Sequence, residues 1–411
     1  MAAFIALGAV AGLAQNPCED ADGITALDTK FRELVAKKPP TLDDRKAAID
    51  TGKQYLEKYG ACDSTKELSD YLKTQIPKME TAYAAAQKKD VEDKMVGRFN
   101  TGLNAKNWDE VYAAGADLLT NYGDKYRDVE LALGTIGFDE SYKGNFKFNE
   151  NSLKYARMSI ADLEGGKTFS ASYGVPKDFV YKTKDNALGW MNLTIGYINQ
   201  VDKKDKKAAA PYLYKATQVD SETNKNPIPY ELIGLYYFDE LNALTKDIQA
   251  KVADQKDTDT PEVAKAKVDA IKGQVALSNG TSERAMDAFS RAYTLGQAAP
   301  YKAKMKKNIE DAYKLRFAKT DGIDAWIAET MKKPFANPAT PITPISDPEP
   351  AETKTTGATG DATTTTTGAG TGAKPAAAVP AAKPAATPAK TTAVKKPQAK
   401  VKKAVAKKKT A

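Results

Sequence analysis

Two neighbouring segments decide the fold: GWMNLTIGY, residues 189–197, and AAPYLYKATQVD, residues 209–220. In each segment apolar residues recur every three or four positions, which predicts an amphipathic helix. The residues between the segments are mostly charged, as expected of a connection at the surface. The pair therefore predicts a hairpin of two antiparallel helices.

The same helical spacing extends in both directions, over about residues 64–333, without a run of alternating strand pattern. Elements of about 12–20 residues are separated by short Gly, Asn, Asp and Pro breaks. One such element starts at Asn107 and stops at Gly123, and another starts near Asn149 and stops at Gly165. The sequence therefore predicts an all-α fold of stacked antiparallel helical hairpins, an α-solenoid.

The hairpins resemble tetratricopeptide repeats, most clearly over residues 186–297. The residues that match the packing positions of that family are Trp190, Leu193, Tyr197, Ala209, Leu213, Ala216, Tyr230, Ile233, Gly234, Tyr237, Gly273, Gly280, Ala285, Phe289 and Ala292. The resemblance implies that small residues on one helix admit large residues of its partner, so that each hairpin stacks on the next. The sequence departs from the family pattern at Thr194, where a glycine is expected. Its repeats also recur at a longer period than the repeats of the family.

The amino-terminus predicts a signal peptide. An apolar run from Ala2 to Ala14 is too short to span a bilayer as a helix, and Gly12-Leu13-Ala14 forms a small-x-small cleavage site. No Lys or Arg precedes the run, which leaves two alternatives: a true start upstream of Met1, or a hydrophobic first helix. With cleavage the protein is exported, to the periplasm or beyond.

The region 15–90 reads as a helical hairpin followed by a third helix. Pro39-Pro40 separates the first two helices, Thr41 and Asp44 form a capping box, and Ser64-x-x-Glu67 opens a helix bent or broken near Pro77. Cys18 precedes the hairpin and Cys62 follows it, so both lie at the same end. This placement predicts a disulfide; two unrelated thiols are the alternative.

The carboxy-terminus, residues 334–411, is predicted to be a disordered basic tail. Ten of the 21 prolines lie after residue 335, and no aromatic residue does. From Lys374 onward there are 11 lysines and no acids; without them 50 basic residues face 53 acidic ones. The positive charge thus belongs to the tail, and it favours polyanions without reading a sequence. The polyanion-binding lysines are Lys395, Lys396, Lys400, Lys402, Lys403, Lys407, Lys408 and Lys409.

The composition argues against several classes of enzyme. The chain contains no histidine and only two cysteines, which excludes histidine-based catalysis, histidine-ligated metals and a zinc site made of cysteines alone. LEGGKT, residues 163–168, lacks the first glycine of a phosphate-binding loop, and the acidic stretch 254–262 lacks the glycine and glutamate of a calcium loop. No catalytic residue, cofactor or metal is therefore expected.

Twenty tyrosines occur in the chain, many of them on the predicted helices. Most are expected in the core of the repeats. Tyr214 and Tyr236 fall outside the matched packing positions, so they are candidates for contacts with a partner in the repeat groove, where tyrosine is favoured.

These features predict a signal peptide over 1–14, a helical region over 15–90, helical repeats over 91–333 and the tail over 334–411. The leading hypothesis is an exported, non-enzymatic scaffold of the bacterial cell envelope. Its repeats would bind a protein or peptide, and its tail an anionic lipid or envelope polymer. The alternative is a cytoplasmic nucleoid-associated protein whose tail binds nucleic acid.

Overall fold

The computed structural model describes residues 16–175 and 179–347, and most of them are helical. The helices are α1 (Ala21–Ala36), α2 (Leu42–Tyr59), α3 (Lys66–Ala105), α4 (Trp108–Tyr126), α5 (Asp128–Ser141), α6 (Asn149–Glu164), α7 (Lys184–Val201), α8 (Lys206–Gln218), α9 (Pro227–Ala253), α10 (Pro261–Leu295), α11 (Ala299–Phe317) and α12 (Ile323–Thr330). The all-α fold is confirmed. One short antiparallel pair, β1 (Gly174–Val175) and β2 (Phe179–Val180), lies between α6 and α7, where the sequence shows no strand pattern.

The chain divides into two compact units, residues 1–118 and 119–411. In the first unit, α1 packs on α2 and α2 packs on α3. Their apolar faces enclose a small core that includes Phe31, Tyr55 and Leu72, each at most 5% exposed. This core is small for a unit of this length.

Local caps set the helix ends of the first unit. The side chain of Thr41 accepts from the Asp44 backbone N–H, and the Asp44 carboxylate accepts from the Thr41 backbone N–H, which confirms the capping box. The box predicted at Ser64 is wrong: a 3₁₀ turn occupies Asp63–Thr65, and α3 begins after it without a side-chain cap. Pro77 lies inside α3, and the helix continues through it for 40 residues in all.

The disulfide predicted at the open end of the first hairpin is present. Cys18 precedes α1, Cys62 follows α2, and the bond between them joins these ends across 44 residues of chain. Beside it the hydroxyl of Tyr59 donates to the Asp20 carboxylate at 2.6 Å. The α1–α2 hairpin is therefore held by a covalent bond and by a hydrogen bond at the same end.

The second unit stacks helical hairpins in chain order. The pairs α5–α6, α7–α8 and α9–α10 each pack closely, α6 packs on α7, α8 on α9, and α10 on α11. One continuous hydrophobic core runs through these helices, from Leu131 in α5 to Ile327 in α12. The stop predicted at Gly123 coincides with a kink in α4, where Tyr122 has a non-helical backbone.

The last predicted hairpin is wrong in its register. The stretch that contains Gly273 and Gly280 continues without a turn into the stretch that contains Phe289, because all of it belongs to α10. The partner of its second half is α9. Gly280 serves close approach instead of a turn, since a Cβ there would lie 2.2 Å from the carbonyl oxygen of Thr343.

The boundary predicted for the tail is also wrong. Residues 334–347 pack against α10, where the backbone N–H of Ile345 donates to the carbonyl of Ala276 at 2.8 Å. Phe335 is only 9% exposed, because it inserts into the helical unit. The signal peptide predicted over 1–14 and the tail lysines from Lys395 to Lys409 lie outside the described residues. Within 16–175 and 179–347, no helix is long and apolar enough to cross a membrane.

Candidate interaction surfaces

Most of the residues matched to repeat packing positions lie in the core. Those at most 7% exposed are Trp190, Leu193, Ala209, Leu213, Ala216, Tyr230, Ile233, Tyr237, Ala285, Phe289 and Ala292. Gly234 is also buried, whereas Tyr197 is half-buried. Gly273 is exposed with open space around it, so the packing role predicted for it is wrong.

The repeat pattern did not predict one close contact between α7 and α8. A Cβ on Gly196 would lie 2.6 Å from Cδ2 of Leu213, so the two helices touch at this glycine. The available signal was a glycine inside a helix, which costs about 0.5–1 kcal/mol relative to alanine and therefore calls for a packing reason.

The two predicted groove tyrosines have different surroundings. The hydroxyl of Tyr214 donates to the carbonyl of Phe335 at 3.5 Å, and the rings of these two residues lie 5.9 Å apart. The surface at Tyr214 is thus covered by the chain itself. Tyr236 is half-buried beside Tyr237, with ring centroids 5.1 Å apart, and its burial raises its pKa.

Another group of tyrosines meets where α5, α7, α9 and α11 come together. Tyr142, at the end of α5, lies 6.2 Å from the ring of Tyr197 in α7, and Phe138 lies 5.0 Å from Tyr197. Burial raises the pKa of Tyr197 to about 12. Both tyrosines remain half-buried, so each ring keeps an accessible part.

An ion pair and a third tyrosine complete this group. Glu231 in α9 is 8% exposed and accepts from Nζ of Lys304 in α11 at 2.7 Å. Tyr301, one turn before Lys304, has a buried hydroxyl oxygen beside the Glu231 carboxylate. Burial, and then the nearby Glu231 carboxylate, raises the pKa of Tyr301.

We call Tyr142, Tyr197, Glu231, Tyr301 and Lys304 the tyrosine face. Burial raises the pKa values of Tyr197 and Tyr301, and the Glu231 carboxylate is paired with the Lys304 ammonium. The face therefore offers half-buried aromatic side chains, which are frequent at binding surfaces. In the described residues, no cluster of three or more His, Cys, Asp or Glu side chains could hold a metal ion.

One buried acid was not found by sequence reasoning. Glu130 in α5 is 0% exposed, and neither carboxylate oxygen has a hydrogen-bond partner in the described chain. Burial and then the charge of Asp162 raise the pKa of Glu130 to about 8, against the opposite effects of Arg127 and Lys167. Because both oxygens are enclosed, the group is inaccessible to a substrate.

The comparisons with known proteins gave no match: no family model, no curated protein and no solved structure is significantly similar to this chain. The resemblance to tetratricopeptide repeats thus stays a prediction from the sequence.

Proposed function

We propose that this chain is an exported, non-enzymatic scaffold of the bacterial cell envelope, which binds a protein or peptide through its helical repeats and an anionic surface through its lysine-rich tail. The observation that carries the proposal is the tyrosine face. Tyr142 at the end of α5 and residues of α7, α9 and α11 contribute to it, and the Glu231 carboxylate of its ion pair acts on both Tyr197 and Tyr301. Tyrosines in such partly desolvated settings are frequent energetic centres of protein interfaces.

Export is supported by the disulfide and by the signal-like amino-terminus. Disulfides persist in oxidising compartments and are rare in the cytoplasm. Cys18 and Cys62 are bonded to each other, and no described cysteine is free. The alternative function, a cytoplasmic nucleoid-associated protein, is favoured by the tail lysines alone.

The intact mass of the protein from its own cells tests export. We expect a chain that begins near Gln15 and gains the mass of two hydrogens on reduction. A full-length chain with free thiols would reject the envelope proposal and favour the nucleoid alternative.

Site-specific photo-crosslinking in living cells tests the binding role. A benzophenone amino acid replaces Tyr142 or Tyr301 on the tyrosine face, and Tyr71, which is 50% exposed on α3, serves as the matched control. We expect a discrete crosslinked protein from the first two positions and none from Tyr71. Adducts that are equal at all three positions, or absent from both positions of the face, would contradict the proposal.

A further inference from the structure

Residues 333–347, KPFANPATPITPISD, form a segment without helix or strand that turns at Asn337–Thr340, packs along α10 and touches α8, α9 and α11. We call it the C-terminal segment. The segment makes three kinds of contact: one side chain inserts into a pocket, side chains of α10 donate hydrogen bonds to several backbone carbonyls, and an acid forms an ion pair at the carboxy-terminal end. This surface is separate from the tyrosine face.

Phe335 is the inserted side chain. Its ring lies 5.1 Å from the ring of Tyr230 in α9 and 5.9 Å from the ring of Tyr214 in α8. The guanidinium of Arg291 lies 5.1 Å from the same ring, in a cation–π contact. The pocket therefore selects an aromatic residue by shape and by charge.

Side chains of α10 hold the backbone on both sides of this pocket. Arg291 donates to the carbonyl of Lys333 at 2.7 Å, and Arg284 donates to the carbonyl of Asn337 at 2.9 Å. Further along, Asn279 donates to the carbonyl of Ile345 at 2.9 Å. Backbone carbonyls exist at every position of a peptide, so these bonds do not depend on which side chains it carries.

Proline suits this groove. The C-terminal segment contains Pro334, Pro338, Pro341 and Pro344. Proline offers a carbonyl but no N–H, and its fixed φ reduces the conformational entropy that the segment loses on binding. The groove supplies mainly donors: Arg284, besides its bond to Asn337, also donates to the carbonyl of Pro341 at 3.3 Å.

Two features fix the carboxy-terminal half of the segment. Gly280 allows the backbone to approach α10, since any Cβ there would meet the Thr343 carbonyl oxygen at 2.2 Å. Arg316 in α11 forms an ion pair with Asp347 at 2.6 Å and is itself oriented by Glu283 at 3.1 Å. The groove thus ends in a positive charge that fits an acid.

We propose that this groove is a recognition site for proline-rich peptides of a partner protein that carry an aromatic anchor, and that the C-terminal segment occupies the site until such a peptide replaces it. A tethered ligand competes at an effective concentration of about millimolar. The resident segment therefore makes the site selective. A partner peptide enters only if it binds more tightly than this tethered segment, or if the segment has already dissociated.

The test uses the full chain with its disulfide intact and a fluorescein-labelled peptide of residues 333–347. We expect the peptide to bind the variant Phe335→Ala about 100-fold more tightly than the wild type, because the resident segment has lost its anchor. Changing Phe335 to Ala in the peptide, or adding Arg284→Ala to the protein variant, should abolish this gain. A peptide with its four prolines changed to Ala should bind about 10-fold more weakly.

A second variant allows the same test if Phe335→Ala does not fold. Asp347→Lys leaves the pocket filled and repels Arg316, and we expect about a 10-fold gain in peptide affinity. Equal binding to the wild type and to the folded variants, or binding that ignores the anchor of the peptide, would overturn the proposal. Concentration-dependent dimers of the wild type would assign the site to a second copy of this chain and would also overturn it.

Discussion

Gly234 of α9 lies against the ring of Phe289 of α10, so closely that a Cβ on Gly234 would meet Cε1 of that ring at 2.5 Å. Phe289 is fully buried and has no room to move aside. We expect Gly234→Ala to lower the free energy of unfolding by about 1–3 kcal/mol, as overpacked core positions do. Chemical denaturation of the purified protein measures this change.

Gly273 provides the matched control on α10. It also lies inside a helix, but nothing surrounds the position of its missing Cβ within 4 Å. We expect Gly273→Ala to raise the free energy of unfolding by about 0.5–1 kcal/mol, because alanine loses less conformational entropy in a helix. Equal effects of the two substitutions would show that helix propensity alone operates at both sites.

The Cys18–Cys62 bond should contribute strongly to the first unit. Closing a loop of this length stabilises a fold by about 4 kcal/mol on the chain-entropy estimate, and the core around Phe31 and Leu72 is small. In the double variant Cys18→Ala, Cys62→Ala we expect faster hydrogen exchange of the amides in α1 and α2, with little change in α7. Unchanged exchange in α1 and α2 would mean that packing alone holds the hairpin.

Glu130 should make stability fall as the pH rises. Its pKa is about 8 in the folded protein and near the ordinary 4.5 in the unfolded chain. Between these values the unfolded chain releases a proton that the folded protein keeps, so the free energy of unfolding falls by about 1.4 kcal/mol per pH unit. Below pH 4.5 both states are protonated and this penalty disappears.

Glu130→Gln tests this dependence, since glutamine has a similar shape and does not ionise. We expect the variant to lose that downward slope between about pH 4.5 and 8 in urea titrations at several pH values. Glu150→Gln is the control, because the side chain of Glu150 is 77% exposed. Identical pH profiles for wild type and Glu130→Gln would show that the group is ionised in the folded state.

The tail should bind anionic membranes by charge alone. Each lysine near such a surface contributes about 1 kcal/mol at low salt. We expect the full chain to sediment with vesicles that contain anionic lipid, and to be released as the salt concentration increases. Changing the eight lysines from Lys395 to Lys409 to Ser should prevent sedimentation, and retention of that variant would place the membrane contact elsewhere.

The sequence predicts well those features that depend on neighbours along the chain. Helical spacing gave the fold class, and the turn at Pro39-Pro40 placed the two cysteines at one end of the hairpin. The Thr41–Asp44 box follows from the same local rule, because each cap bonds the backbone three residues away.

Features that depend on distant contacts could not be predicted. Asn279-Gly280 resembles a turn, yet α10 continues through it, since Asn279 bonds the carbonyl of Ile345 and Gly280 accommodates Thr343. The prolines after Lys333 indicate an extended chain, but not that Phe335 enters a pocket on three helices. No feature of the sequence predicted the burial of Glu130, because that burial depends on packing with α6 and the loop that follows α6.

The C-terminal segment also has a mechanical consequence. A pull on the chain beyond residue 347 reaches the helices through the contacts of this segment, one after another. The load falls first on the Asp347–Arg316 ion pair, then on the bonds of Asn279 and Arg284, and last on Phe335 in its pocket. The segment therefore stands between the chain beyond residue 347 and the helices, so a pull from that side loads these contacts before it loads the stack.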